Sequence, residues 1–161
     1  MNPTMLEDIG VQISPREFRA ISAYCAEEVR RQGDTPLHVG YMIDAMLDAI
    51  EHQYHGDDLS LDMIKHWARL IEPVENRKGF RTVDVVVGGV ATMRPEFIDM
   101  AMQDWIEARE TLAPNVAYKT FEEIHPFMDG NGRTGKVILN FINGTLLNPI
   151  WPYNWWGISN P

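Results

Sequence analysis

The sequence predicts a mainly α-helical bundle carrying one small β-hairpin, and three observations predict it. Apolar residues recur at three- and four-residue spacing in segment after segment. Several of those segments open on Ser, Thr or Pro and stop before Gly or Pro. One stretch, Phe80 to Met93, instead sets β-branched residues on both sides of the Gly88-Gly89 pair, a hairpin signal.

Residues 14–33 have both helix ends marked. Ser14, Pro15 and Glu17 spell a capping box with proline at the first turn, Gly33 is the stop, and Phe18, Ile21, Ala26 and Val29 form the apolar stripe. Thr35 and Pro36 open a second helix with Met42, Ile43, Met46, Leu47 and Ile50 inward, ending before Gly56. His52 and His55 near Asp57 and Asp58 admit a metal reading, but histidines complementing a helix C-terminus are the favoured one. A third helix is expected over 59–71, with Leu59, Met63, Trp67, Leu70 and Ile71 apolar and His66 a packed or surface residue. After the hairpin, Pro95 opens a helix to about Leu112, with Phe97, Ile98, Ala101, Trp105 and Ile106 inward. Met93, Met100 and Met102 are expected in the core. Pro114 starts a helix carrying Phe121 and Ile124 up to His125, and a last helix follows Gly132 with Val137, Ile138, Phe141 and Ile142 at helical spacing. The Trp- and Pro-rich ending, NPIWPYNWWGISNP, is expected to pack back on the domain.

Composition narrows the function. The 161 residues suit one domain, 1–161, with 45% hydrophobic residues to fill a core. A net charge of −9 argues against nucleic acid or anionic membrane as the main partner. The single Cys25 excludes an internal disulfide, suits a reducing compartment and reads as a buried thiol. No apolar run approaches the roughly 20 residues of a membrane span, and MNPTMLEDIG has no signal-peptide layout. The expectation is a cytoplasmic protein with neither nucleic acid nor membrane as partner, export by a non-classical signal staying open.

The chemistry is concentrated in His125 to Lys136, HPFMDGNGRTGK. Glycines at 130, 132 and 135 let backbone N–H groups approach an anion. The loop runs into a helix N-terminus, where unpaired N–H groups and the macrodipole favour phosphate. Arg133 and Lys136 lie one turn apart and can neutralise phosphate oxygens. Asp129 is a hard oxygen ligand suited to Mg²⁺. His125, with a pKa near neutrality, stands where it can take a proton from a hydroxyl nucleophile. Two decoys fail. GNGRTGK matches a Walker A loop until Val137 replaces the metal-holding Ser or Thr, and it follows a helix rather than a strand. As a calcium loop, the twelfth position from Asp129 is Asn140 instead of a bidentate Glu. The residues alone therefore allow any phosphoryl or nucleotidyl transfer.

HPFMDGNGRTGK resembles the signature of the Fic family, HPFx(D/E)GNGRxxR, at every position except Lys136, which stands for arginine. The resemblance implies a Fic-like helical bundle with its core over 59–150, a flap at about 79–93, the motif at 125–136, N-terminal helices in 1–58 and an aromatic tail at 151–161. GFRTVDVVVGG looks like the Fic flap, so Thr82, Val83, Asp84, Val85, Val86 and Val87 are expected to dock a target protein as an extended segment. The resemblance implies a protein adenylyltransferase: ATP and Mg²⁺ are used, His125 is general base, and AMP passes to a Ser, Thr or Tyr hydroxyl. Phe127, Gly130, Asn131, Gly132, Arg133 and Lys136 are then the nucleotide-binding residues and Asp129 the metal ligand. Terminal-phosphate or other phosphodiester transfer on the same site, and a catalytically silent peptide-binding module, are the alternatives. Lysine at 136 keeps the charge but loses the bidentate fork, so weaker use of ATP is expected, with Lys136→Arg raising kcat/KM. Many Fic proteins carry an inhibitory helix with the pattern (S/T)xxxE(G/N). Ser14, Ser22 and Thr35 lead to Phe18, Ala26 and Val39, and Thr92 to Glu96 is followed by Phe97, so the pattern is absent. Control is therefore expected from a separate antitoxin-like partner, or not at all.

Overall fold

Helix follows helix because each apolar stripe needs a neighbour to cover it. The computed structural model describes residues 11–153, and among them six α-helices and a two-stranded hairpin run in order. α1 is Pro15–Gln32, α2 Leu37–Tyr54, α3 Leu61–Ile71, β1 Val86–Val87, β2 Val90–Ala91, α4 Ile98–Ala108, α5 Pro114–Ile124 and α6 Asn131–Asn143. Short 3₁₀ turns at Pro95–Phe97 and Arg109–Thr111 flank α4.

The caps form as their residues dictate. At α1 the Ser14 hydroxyl accepts from the Glu17 N–H at 3.2 Å while Glu17 accepts from the Ser14 N–H at 2.8 Å. Gly33 closes the helix in the left-handed conformation. α3 starts two residues later than expected because Ser60 caps it through the Met63 N–H. α6 runs through the middle of the bundle against α3, α2 and α5, and nine of its residues from Asn131 to Asn140 are buried. Its apolar members Val137, Ile138 and Leu139 are fully covered, and the first two share one cluster with Ile21, Met46, Trp67, Met102 and Phe121.

Three expected core positions are overturned. Ala26 is exposed, because the inward face of α1 passes through Ile21, Tyr24, Cys25, Glu28 and Val29, and position 26 lies well off it. Phe97 is 46% exposed because it belongs to the 3₁₀ turn before α4, and Met100 is 63% exposed on the outer side of α4. Met102 is fully buried and Met93 half-buried, as expected. Of the aromatic tail, the described part packs back: Trp151 stacks on Tyr24 at 4.1 Å and the Tyr24 hydroxyl donates to the Ile150 carbonyl at 2.8 Å. Residues 154–161 lie outside the described residues, as does the N-terminal stretch 1–10. At the C-terminal end of α2, His52 hydrogen-bonds Asp57 at 2.7 Å and lies 3.5 Å from Asp48. Among the described residues no helix is long and apolar enough to cross a membrane.

The hairpin is shorter than its β-branched run. Only Val86↔Ala91 and Val87↔Val90 pair across the Gly88-Gly89 turn, and all four are exposed. A pair of strands this small has little stability of its own, so its placement depends on contacts at its base.

Candidate active site

Between α5 and α6 the chain makes one tight loop, and neighbouring side chains fix its backbone. His125 caps α5 at φ 52° and ψ 61°, its N–H donating to the Phe121 carbonyl at 2.9 Å. It is the one non-glycine with positive φ among the described residues, a conformation that costs about 1–2 kcal/mol in an L-residue. Phe127 is fully buried against Phe80 and Phe121 and anchors the loop, as expected, with Pro126 buried beside it. Asn131 clamps the turn reciprocally: its Oδ1 accepts from the Phe127 N–H and its Nδ2 donates to the Phe127 carbonyl, both at 2.9 Å. Asn76, fully buried, donates to the Asp129 carbonyl at 2.8 Å. Gly130 is left-handed at φ 69°, and a Cβ there would meet Ile71 Cγ2 at 2.8 Å, so both conformation and space demand glycine. The Asp129 carboxylate, 58% exposed, accepts from the Gly130 N–H at 2.7 Å, just ahead of the first turn of α6.

His125 is half-buried. Burial pulls its pKa below the ordinary histidine value, and the positive charge of Arg81 acts in the same direction. The Glu122 carbonyl and the Asp129 charge oppose that shift. The shift favours the neutral imidazole near pH 7, the form whose ring nitrogen can accept a proton. It shares a cleft of about 440 Å³ with Val87, Val90, Ala91, Thr92, Glu122 and Glu123. Of the six expected flap residues, Val87 lines that cleft, Val86 is exposed beside it, and Val85 is half-buried. Thr82, Val83 and Asp84 instead line a separate groove of about 760 Å³ with Lys65, Lys78 and Phe80, since the chain crosses the base of the hairpin before entering β1.

The two cations expected to meet phosphate are already engaged by carboxylates. Arg133, 2% exposed, sets Nη2 at 2.6 Å from Glu72 and 3.2 Å from Asp34. Asp34, His38 and Glu72 converge closely enough to hold a metal ion, but the Arg133 guanidinium takes the place a cation would occupy. Nε and Nη1 of Arg133 are shielded from solvent and have no hydrogen-bond partner among the described residues. Lys136 Nζ lies 2.9 Å from Glu28 and 3.3 Å from the Tyr118 hydroxyl. Gln32 and Glu28 lie over Gly132, whose added Cβ would sit 3.1 Å from Gln32 Nε2. Behind the loop, burial pushes the Glu122 carboxyl up to about 7, with Lys136 opposing the shift and Glu28 adding to it.

Sequence reasoning therefore places His125, Asp129, Gly130 and Arg133 around one turn, and misses the groups that hold them. Glu28, Asp34, Glu72, Asn76, Arg81 and Glu122 lie outside the motif and match no pattern. A local signal existed for Glu122 alone, one turn before His125 on the same helix.

Comparison with known proteins follows the same lines. Residues 58–142 match the family model for the Fic/DOC family. A protein named "Protein adenylyltransferase fic-1" from Caenorhabditis briggsae is 34% identical over 107 residues, which is 61% of this chain and 21% of that protein. A probable protein adenylyltransferase from Aquifex aeolicus is 35% identical over 81 residues, 43% of this chain and 25% of that one. The chain thus spans about a quarter or less of the length of these curated relatives. A structure of IbpAFic2 covalently tethered to Cdc42 superposes with a TM-score of 0.62 at 21% identity, covering 89% of this chain and 54% of that one. Fic-1 from C. elegans gives 0.57 at 19% identity, over 89% and 52%.

Proposed function

The chain belongs to the Fic/DOC family, whose model takes in residues 58–142, and from that premise we propose that it is a protein adenylyltransferase. It moves AMP from ATP to a Ser, Thr or Tyr hydroxyl of a target protein. The observation that carries this reading is that a half-buried imidazole, His125, opens into the cleft beneath a hairpin with exposed strands, on the loop that leads into the α6 N-terminus. The names of the relatives support the reaction type.

In this reading the target lies extended along the hairpin edge, its hydroxyl toward His125. His125 takes the hydroxyl proton while the oxygen attacks the α-phosphorus. The new O–P bond forms as the bond to pyrophosphate breaks. The N-terminal N–H groups of α6 and the unpaired N–H groups of Arg133 receive the developing charge. Gly130 and Gly132 let the backbone approach, and Phe127 and Asn131 hold the turn in shape. Asp129, half-exposed at the helix start, fits Mg²⁺, which would neutralise phosphate oxygens there.

The carboxylates on Arg133 and Lys136 make this a restrained form of the site. A triphosphate competes with Glu28 for Lys136 and with Glu72 and Asp34 for Arg133. In this reading Glu28 takes, from within the chain, the restraining role for which the sequence expects a separate partner or none. Incubation with α-labelled and γ-labelled ATP and a lysate tests the reading. α-label on protein that disappears in His125→Ala supports AMP transfer. γ-label moves the assignment to terminal-phosphate transfer, and no label from either leaves a silent module.

A further inference from the structure

Arg81 is 3% exposed, and among the described residues no carboxylate lies within ion-pair distance of it. Its donors go to oxygens of three separate segments. Nε donates to the His125 carbonyl at 2.7 Å and Nη2 reaches the Ile124 carbonyl at 3.5 Å. Nη1 donates to the Val83 carbonyl at 2.9 Å, on the chain entering the hairpin. Nη2 also donates to the Thr92 hydroxyl at 3.0 Å and to the Met93 carbonyl, on the chain leaving it. The Thr92 hydroxyl in turn donates to the Val85 carbonyl at 2.6 Å, closing the two legs on each other. The Arg81 backbone N–H donates to the Pro126 carbonyl at 2.9 Å.

We infer that Arg81 is the positioning residue of this site, one guanidinium that fastens both legs of the hairpin to the strained turn carrying His125. Two features need such a fastener. The hairpin has two residues per strand with all four exposed, so its own pairing cannot fix its position. His125 sits in a left-handed conformation that persists only where its surroundings over-determine it. Arg81 grips the carbonyl of that residue and of its neighbours on either side. A planar fork with five N–H donors can span these oxygens at once, and an ammonium cannot. The distance between a bound target segment and the imidazole is therefore set by one side chain outside the motif.

The catalytic consequence rests on the transferase reading, whereas the fastening itself does not, and the test separates them. Hydrogen exchange of the hairpin amides and thermal unfolding are compared for the wild-type chain, Arg81→Lys and Thr92→Val. The expected result is at least about tenfold faster exchange at Val87 and Val90 in both variants, with α1 to α3 exchanging as before. In labelling assays Arg81→Lys lowers kcat/KM for the protein acceptor about 10- to 100-fold while KM for ATP moves less than about threefold, because misplacement affects alignment rather than nucleotide binding. Unchanged hairpin exchange in a folded Arg81→Lys protein overturns the inference. If Arg81→Lys does not fold, Thr92→Val decides alone, and unchanged exchange there overturns it equally. An equal loss of acceptor and ATP terms assigns Arg81 a merely structural role and also overturns it. A wild-type chain that transfers no label removes the transferase reading, and the exchange result still decides the fastening.

Discussion

Glu28 Oε1 lies 2.9 Å from Lys136 Nζ, with 1% and 8% of the two side chains exposed, and joins the first described helix to the last. A buried pair of this kind is costly to break from one side, because the partner left behind is an uncompensated charge. Tyr118 and Glu122 are the other polar groups near the ammonium, so Lys136 sits among acids on α1 and α5.

Glu28→Gln removes the charge that competes with phosphate for Lys136 and keeps the side-chain shape. Labelling from α-labelled ATP is expected to rise several-fold, with thermal stability falling by about 1–3 kcal/mol as the pair is lost. The pair of readouts, labelling rate and melting temperature, must move in opposite directions. A parallel fall would mean that Glu28 supports the site instead of restraining it.

His125→Ala is expected to lower labelling by about 10²- to 10⁴-fold, the usual contribution of a positioned base. Because burial and Arg81 hold the imidazole of the free protein below the ordinary histidine value, the acid limb of the kcat/KM profile is expected below that value. Labelling is then level through neutrality and declines only in acid. An initial-rate profile in a buffer series checks this, and a midpoint above neutrality contradicts it.

Glu122 gives stability a pH dependence. Its carboxyl ionises near 4.5 when unfolded and at about 7 when folded. Between those values the native state holds the extra proton, so stability is complete below about 4.5 and is lost as pH rises through 7. Glu122→Gln cannot ionise, and denaturant titrations at several pH values should show it lacking a fall in stability on the order of 3 kcal/mol between about pH 4.5 and 7.

Gly135→Ala tests the packing of α5 on α6. The added Cβ would lie 2.6 Å from Glu122 Oε1, 3.0 Å from Tyr118 Cε2 and 3.2 Å from Phe121 Cδ1. The carboxylate can move, but the two buried rings cannot, so a loss of about 1–3 kcal/mol is expected by thermal unfolding.

What was legible in the sequence is what neighbours in the chain decide. The capping box at Ser14 and the glycine turn of the hairpin each depend on a few consecutive residues and form where expected, while the last helix, expected after Gly132, already starts at Asn131. The restraint on the cations depends on helix packing instead. Glu28 escaped the inhibitory pattern because Tyr24 precedes it by four residues and Val29 follows it, yet α1 still delivers it to Lys136. Arg81 reads as an ordinary basic residue before a strand, and its role emerges only when three segments bring their carbonyls to it. Phe97 and Met100 were misread because hydrophobicity says which residues tend to be inside, without saying which face a particular turn leaves outside.

Glu28 and Asp34, which hold Lys136 and Arg133, both precede residue 58, where the match to the family begins. The carboxylate on Lys136 is therefore encoded outside the stretch that matches the family, while Arg133 is held both from outside it, by Asp34, and from within it, by Glu72. Exchanging the leading segment between relatives would reset the idle speed of the site while leaving the reacting groups as they are.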